Sequence, residues 1–491
     1  MDETEPLLGS TPEQVYHPRG DNTKINVGSD FAQHDPANPR RWSKAYKRGI
    51  IALLAFMSFT VTFTCISAVP VAHDIISDVT PGRHASKQAT VLLVTIWELG
   101  EAAGPLLIAP LSEVYGRWPV FNVANTIFII GIAFSALSTR PEMLIFSRFL
   151  TGCAVASNVL NPAVVGDLFE PDERGSAMSL IMLAPLLGGA VGPAIAGAIA
   201  ETLGWRRIMW MGLMLALLAE LMFLTLFRET YKPVILRRKS ESSSGTPIPE
   251  IDEPLLKNQK SAGSESAILT AIARPAKVFW SSAILQAISL QGGLTFSFFY
   301  VMSTTFPDIL AGTYNFKPAL VGTSFLSFSV GSFFGVVTCN FLVDYVYKHL
   351  SKKHGAIPEN RLPLVVFAAF ALPLVVALYG WTADQKWPVA LLIVSVVLQG
   401  FLCIGALVPV MAYVVDATGD YSASALTAVM IIRCLMGTFL PLAAAPLNDK
   451  LGYGLGIMSL AGLCLLMAIF PVLVMQYGRK WRQKSKYTSD Q

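Results

Sequence analysis

An all-α membrane protein, with twelve transmembrane helices in two pseudo-symmetric six-helix bundles and both termini on one side, is the fold class this chain predicts. Three observations predict it. The 491 residues are 53% hydrophobic and 14% charged, with a mean hydropathy of +0.52, whereas soluble domains are about a quarter charged. Apolar runs long enough to cross ~30 Å of hydrocarbon, about 20 helical residues, recur twelve times. One long polar stretch, 228–276, divides them six and six. This composition excludes disorder, a nucleic-acid module and most soluble enzymes. The net charge of +4 is too even a balance to name an acidic macromolecular partner.

Residues 1–48 form a polar tail with Pro6, Pro12, Pro18, Pro36 and Pro39, expected to be disordered and cytoplasmic, with no cleavable signal before the first apolar run. The N-terminal bundle occupies 49–227, with spans near 49–72, 88–111, 118–138, 141–166, 175–201 and 207–227. The connection 228–276 carries Arg237-Arg238-Lys239 and the run Ser240-Glu241-Ser242-Ser243-Ser244-Gly245, and reads as a flexible linker. The C-terminal bundle, 277–477, has spans near 278–303, 318–344, 362–382, 387–415, 422–447 and 454–477, and 478–491 is a short tail. All six cysteines lie inside apolar stretches without paired spacing, so they read as small core residues.

Lys and Arg counts in alternate loops set the orientation. Of the 37, eight (Arg83, Lys87, Arg140, Arg206, Arg207, Lys317, Lys386, Lys450) lie on one side, Arg148 and Arg433 lie within spans, and the remaining 27 lie on the side of the termini. The termini and the linker are therefore expected in the cytoplasm.

Two equal offsets relate the halves. Gly100, Gly104, Leu111 and Glu113 of span 2 recur 231 positions later as Gly331, Gly335, Leu342 and Asp344 of span 8. Gly189, Pro193, Leu203 and Gly204 of span 5 recur 248 positions later as Gly437, Pro441, Leu451 and Gly452 of span 11. Parallel six-span repeats are the plan of major facilitator transporters, with the substrate site between the halves near the midplane.

Local motifs carry the same resemblance. The segment Ala109-Pro110-Leu111-Ser112-Glu113-Val114-Tyr115-Gly116-Arg117 resembles the major facilitator loop pattern G-x-L-x-D-R-x-G-R, departing at the first Gly, the Asp and the first Arg. The resemblance, with a carboxylate and a guanidinium able to latch a helix end, makes Gly104, Glu113, Gly116 and Arg117 a candidate cytoplasmic gate. Arg148-Phe149-Leu150-Thr151-Gly152 resembles the span 4 R-x-x-x-G element. Gly188-x-x-x-Gly192-Pro193-x-x-Ala196-Gly197 resembles the antiporter motif of drug exporters, whose small residues form an i,i+4 ridge for close helix packing. Asp35-Pro36-Ala37-Asn38-Pro39-Arg40-Arg41-Trp42, Asp167-Leu168-Phe169, Gly204-Trp205-Arg206, Glu229-Thr230-Tyr231-Lys232-Pro233 and Thr304-Thr305-Phe306-Pro307 are similar to the fungal twelve-span drug:proton antiporters. That family includes multidrug, polyamine and secondary-metabolite exporters.

No G-x-x-x-x-G-K-[ST] sequence occurs, so an ion gradient is the expected energy source, with no cofactor and no metal. All six histidines lie in tails or loops, which leaves carboxylates as proton carriers. Glu98 and Glu101 share one face of span 2, Glu98 about 15 Å from the outer end. Burial favours a neutral carboxylic acid and a nearby guanidinium favours the carboxylate, so Arg148 is the expected partner of Glu98 or Glu101. An arginine at that depth costs roughly 2.5–3.5 kcal/mol on insertion scales. Glu220 lies at similar depth in span 6. Mid-span polar and aromatic residues, Asn158, Asn161, Gln291, Phe298, Tyr300 and Gln399, are candidate cavity groups for an amphiphilic ligand. Arg433 in span 11 reads either as a counter-ion for an anionic substrate or as the partner of a second-half dipole.

The leading expectation is proton-coupled export of amphiphilic small molecules, drugs, toxins or fungal metabolites, by a monomer that is not an enzyme. Polyamine export is the alternative within transport, and a non-transporting sensor on a transporter fold is the alternative outside it. Glu3-Thr4-Glu5-Pro6-Leu7-Leu8 fits an acidic dileucine signal, offering Leu7 and Leu8 to a sorting adaptor. The plasma membrane is the expected location, with vacuole or endosome second.

Overall fold

The computed structural model describes residues 35–80, 86–243, 264–355, 357–485 and 487–488, and among them the chain is helical with short 3-10 turns and no strand. Lipid offers backbone groups no hydrogen-bond partner, so helix is the form these runs take. In chain order the helices are α1 (Lys44–Ser67), α2 (Ala72–Asp78), α3 (Lys87–Tyr115), α4 (Arg117–Leu137), α5 (Pro141–Cys153), α6 (Ser157–Leu168), α7 (Pro171–Leu203), α8 (Trp205–Leu226) and α9 (Lys232–Ser243). There follow α10 (Ser264–Ser281), α11 (Ala283–Gly312), α12 (Pro318–Ser324), α13 (Leu326–His354), α14 (Pro363–Asp384), α15 (Val389–Thr418), α16 (Ser422–Met467) and α17 (Ile469–Arg482). Starts are set locally: the Ser43 hydroxyl accepts from the Tyr46 amide at 3.3 Å, and Pro141, Pro171, Pro318 and Pro363 open helices where a missing N–H is harmless.

Eleven stretches are long and apolar enough to cross a membrane. The last, Ser422–Arg482, has 61 residues, about 90 Å if it were one helix. Gly452, at φ 76°, turns it back. The returning chain then runs beside α14, with Gly454 against Asp384 at one end and Arg482 bonded to Glu359 near the other. The face carrying Lys44, Thr418 and Arg482 is the terminal face, and the opposite one, carrying Lys87, Gly204 and Gly452, is the far face.

Both matched offsets have structural counterparts. Gly204 and Gly452 turn at φ 82° and 76°, a region glycine enters without a Cβ penalty. A Cβ on Gly100 or Gly104 would strike the carbonyls of Phe149 and Cys153 on α5, and one on Gly331 or Gly335 those of Val397 and Phe401 on α15. Small residues thus bring α3 onto α5 and α13 onto α15 in the same way.

The polar connection departs from a wholly flexible linker, because α9 and α10 make both of its described ends helical; α10 packs against α3 and α16. Residues 1–34, with Leu7 and Leu8 of the sorting signal, and 244–263 lie outside the described residues.

The two bundles meet along the far half of the seam. One apolar cluster joins Ile75, Leu93, Val94 and Trp205 of the first bundle to Phe298, Val301, Phe306 and Val321 of the second. Polar contacts reinforce it: Lys87 pairs with Asp449, the Glu201 carboxylate accepts from the Ala319 amide at 3.2 Å, and the Thr438 hydroxyl donates to the Thr95 carbonyl at 3.3 Å. At α7 and α12 the backbones touch reciprocally, since a Cβ on Gly197 would meet the Pro318 carbonyl and one on Gly322 the Pro193 carbonyl. The terminal-face ion pairs Arg117–Asp167, Arg361–Asp416 and Arg482–Glu359 each stay within one bundle.

Gly197→Val should therefore insert normally yet hold the far faces apart. Overpacking typically costs about 1–3 kcal/mol, a roughly 5- to 150-fold shift in conformer ratio. A cysteine placed at Ala319 should react correspondingly faster with a membrane-impermeant maleimide. An unchanged labelling rate would show that this contact does not close the far face.

Candidate functional site

Arg148, expected to face Glu98 or Glu101, does neither. The end of α1 leaves carbonyls without helical partners, and Arg148 caps them: its guanidinium donates to Thr64 O at 3.0 Å and Cys65 O at 2.6 Å, and to Leu93 O on α3 at 3.3 Å. It also stacks on Trp97, 5.0 Å from the ring centroid. This arginine fastens α1, α3 and α5 together inside the first bundle. The correction has a simple physical cause: a guanidinium has five donors and no acceptor, and orphaned helix-end carbonyls satisfy it as well as a carboxylate does.

The carboxylates instead reach across the seam. Glu101 accepts from the Arg433 guanidinium of α16 at 3.2 Å, from the Asn158 amide at 2.8 Å and from the Trp97 indole at 3.3 Å. Glu98 accepts from the Tyr300 hydroxyl of α11 at 2.6 Å, and its second oxygen is buried without a partner. That oxygen points at α16, where it lies 3.4 Å from the site a Gly437 Cβ would occupy. Arg433 stacks on Phe296, 4.3 Å from the ring centroid, while its Nε is buried without a hydrogen-bond partner. Both carboxylates are thus held by donors of both bundles or of the second bundle alone.

Asn158 occupies a special place. The fourth span breaks between α5 and α6 at residues 154–156, and Asn158 begins the new helix beside Glu101. It is exposed although it lies mid-span.

The other candidate cavity residues divide. Tyr300 belongs to the Glu98 pair. Asn161 donates to the Ser58 hydroxyl at 2.8 Å within the first bundle. Gln291, Phe298 and Gln399 are buried, Gln291 beside Thr295 and Phe298 within the apolar cluster that joins the two bundles.

At the terminal face Arg117 is held differently from expectation. Glu113 is exposed and makes no ion pair among the described residues. Arg117 pairs with Asp167 at 3.5 Å, donates to the Ser112 hydroxyl and stacks on Tyr231, while Glu229 accepts from the Arg117 and Trp118 amides at 2.8 and 3.1 Å. Gly116, at φ 102°, turns the chain where a Cβ would strike Glu229. The second bundle builds a parallel clasp, Arg361 with Asp344 at 3.5 Å and Asp416 at 2.5 Å. Asp344 is the counterpart of Glu113, so the expected carboxylate engages its arginine in the second repeat alone. Gly104 lies deeper, against Cys153, as a helix-packing residue.

The antiporter-like stretch has two faces. Gly188 and Gly192 lie against Phe59 and Phe63 of α1, and Pro193 and Gly197 against α12 of the other bundle. Among the contacts of this site that the sequence reading missed are those of Trp97 and Phe296 and the pairing of Arg433 with Glu101. The signal that could have found the last was two intramembrane arginines for two neighbouring carboxylates.

Comparison with known proteins agrees with this architecture. The sequence profile of the Major Facilitator Superfamily matches residues 49–441. The chain is 31% identical over 481 residues to the efflux pump radE of Floropilus chiversii, covering 96% of this chain and 87% of that protein. It is 34% identical over 456 residues to the MFS transporter prlG of Fungal sp. (strain NRRL 50135), covering 91% and 94%. Among solved structures, a partially occluded inward-open conformation of the Escherichia coli xylose transporter XylE superposes with a TM-score of 0.65 at 14% identity, covering 88% of this chain and 98% of that one. The chain belongs to the Major Facilitator Superfamily, a family of multi-pass membrane transporters.

Proposed function

We propose that this chain is a proton-coupled exporter of amphiphilic small molecules, a twelve-span protein of the plasma membrane with its termini and linker in the cytoplasm. The observation that carries the reading is the carboxylate of Glu101, bound across the seam to Arg433 and at once to the exposed Asn158. The family and the efflux-pump relatives support transport; the coupling is argued from this site.

In the far-closed arrangement Glu101 is charged and tied to Arg433, and cargo loads from the terminal face. Opening the far side draws α3 from α16. Glu101 then loses its guanidinium, and an unpaired buried carboxylate is costly enough that it takes a proton instead. Cargo leaves, and the neutral carrier closes without the ion pair. Release of the proton to the cytoplasm lets Glu101 and Arg433 rejoin and returns the carrier to its loading state. Proton and cargo thus occupy the carrier on opposite halves of the cycle, as antiport requires. Glu98 and Tyr300 form the second inter-bundle bond, with Glu98 the alternative carrier.

Two tests follow once a growth screen in an efflux-deficient yeast has identified a cargo. In proteoliposomes with an imposed pH gradient, Glu101→Gln should abolish accumulation while sparing gradient-free exchange. Arg148→Gln should instead lower the yield of folded protein, since it uncaps α1. Full proton-driven accumulation by the Glu98→Gln/Glu101→Gln double variant would place the carrier elsewhere. At the terminal-face clasp, Asp167→Asn should slow turnover about tenfold or more, the scale of one lost charge-assisted bond at about 1.5–3 kcal/mol, with unchanged cargo affinity. Glu113→Ala should stay near wild type in both turnover and equilibrium binding. A larger loss in Glu113→Ala than in Asp167→Asn would reverse the assignment of the clasp.

A further inference from the structure

The triplet Arg237-Arg238-Lys239 takes no part in the carboxylate site, yet with the serine that follows it forms an R-R-x-S sequence. Basophilic serine/threonine kinases read such a serine through ion pairs between their own carboxylates and the arginines two and three residues before it, along a short segment held extended. An arginine three residues before a serine or threonine occurs five times, ahead of Ser43, Ser86, Thr151, Ser240 and Ser485. The structure separates the five. Thr151 lies mid-span with Arg148, both buried, and Ser485 is 5% exposed with its Arg482 bonded to Glu359 at 2.8 Å. Ser86 is on the far face, at the start of α3. Ser43 also follows paired arginines, but it caps α1, with Arg40 bound to Glu170 at 3.1 Å and Trp42 edge-on to Tyr46. Ser240 differs: it lies in the last turn of α9, on the terminal face, and Arg237, Arg238 and Lys239 before it are exposed. That turn, Ser240-Glu241-Ser242-Ser243, is rich in serine, an indifferent helix former, and the last carbonyls of a helix lack helical partners, so it opens to an extended form at little cost.

Both ends of α9 are tied to the terminal face. Just before its start, Glu229 and Tyr231 hold Arg117, and the Thr230 hydroxyl donates to Asp167 at 3.1 Å. Toward its end, the Lys239 ammonium donates to Asp35 at 2.6 Å, and the same buried side chain accepts from the Ala37 amide at 3.0 Å, fixing the chain that leads into α1. We propose that Ser240 is a phosphorylation site for a basophilic kinase, and that its phosphate draws Lys239 from Asp35 and loosens α9. In the transfer the Ser240 oxygen bonds to the γ-phosphorus of ATP, the bond from that phosphorus to the ADP oxygen breaks, and the hydroxyl proton passes to the kinase's own carboxylate base. The product carries about −1.5 to −2 charge at pH 7, at the helix end where the backbone dipole is already negative. It competes with Asp35 for the ammonium of the preceding residue. The inference rests on the proposed topology, which sets α9 in the cytoplasm with ATP, and on no part of the coupling cycle.

The test uses the full chain in lipid nanodiscs with magnesium, ATP and a purified kinase selective for R-R-x-S. Because the kinase reaches both faces of a nanodisc, the result does not depend on which face is cytoplasmic. Fragment mapping by mass should place the phosphate on Ser240, and Ser240→Ala or the double variant Arg237→Gln/Arg238→Gln should lose it. Amide hydrogen exchange over 36–41 and 233–239 should then run about two- to fivefold faster, the scale of one adverse charge at a helix end. Lys239→Gln should speed exchange over 36–41 without any kinase. No phosphate on Ser240, or more on any of the other four positions than on Ser240, would overturn the site. Unchanged exchange in the phosphorylated chain would overturn the release of Asp35 and α9.

Discussion

The ion pair between Glu101 and Arg433 is the interaction on which the rest of this structure turns. Each charge alone would be costly at mid-membrane depth, and the two are carried by different bundles, 332 residues apart in sequence. Neither bundle can neutralise its own charge by this route. The solvent-poor seam therefore closes most favourably where the two meet, with the Asn158 and Trp97 donors and the Phe296 ring around them. The pair is made between the two bundles, which is why the proposed coupling is placed on it.

Close packing of small residues lets that chemistry happen. Backbone contact at Gly100 and Gly104 fixes α3 within its bundle, and the reciprocal contact of Gly197 and Gly322 brings the far ends of α7 and α12 together. The same contacts recur in the second half at Gly331 and Gly335, so the scaffold is duplicated while the charges are not: Glu98 and Glu101 have Ser329 and Ser332 at the matching offset. The asymmetry places this carboxylate pair on α3 alone, opposite Arg433 and Tyr300 of the other bundle. Arg148 and the terminal clasps tie helices together within each bundle.

Much of the fold was legible because it follows from local rules. Apolar run length placed the helices, the glycine offsets marked the repeat, and Gly116-Arg117 marked the terminal clasp. The residues of the carboxylate site were legible too, but their partners were not. Arg148 and Arg433 are equivalent as sequence, and only the ends of α1 and the register of α3 on α16 decide that one caps carbonyls and the other meets Glu101. Glu113 looked like the partner of Arg117 by proximity, whereas Asp167 and Glu229 reach it from distant helix ends. The burial of Gln291, Phe298 and Gln399 was not legible, because mid-span helices apolar on all sides carry no periodicity to assign an inward face.

The central claim is that the Glu101–Arg433 pair biases the carrier toward the far-closed state. Pulsed electron spin resonance between labels at Thr202 and Lys317, on the exposed far ends of the fifth and eighth spans, measures that bias directly in nanodiscs. Wild type should show mainly the short distance, Glu101→Gln a larger share of the long one, and the charge-reversed Glu101→Arg/Arg433→Glu variant a return toward the short one. Identical distance distributions in wild type and Glu101→Gln would contradict the account.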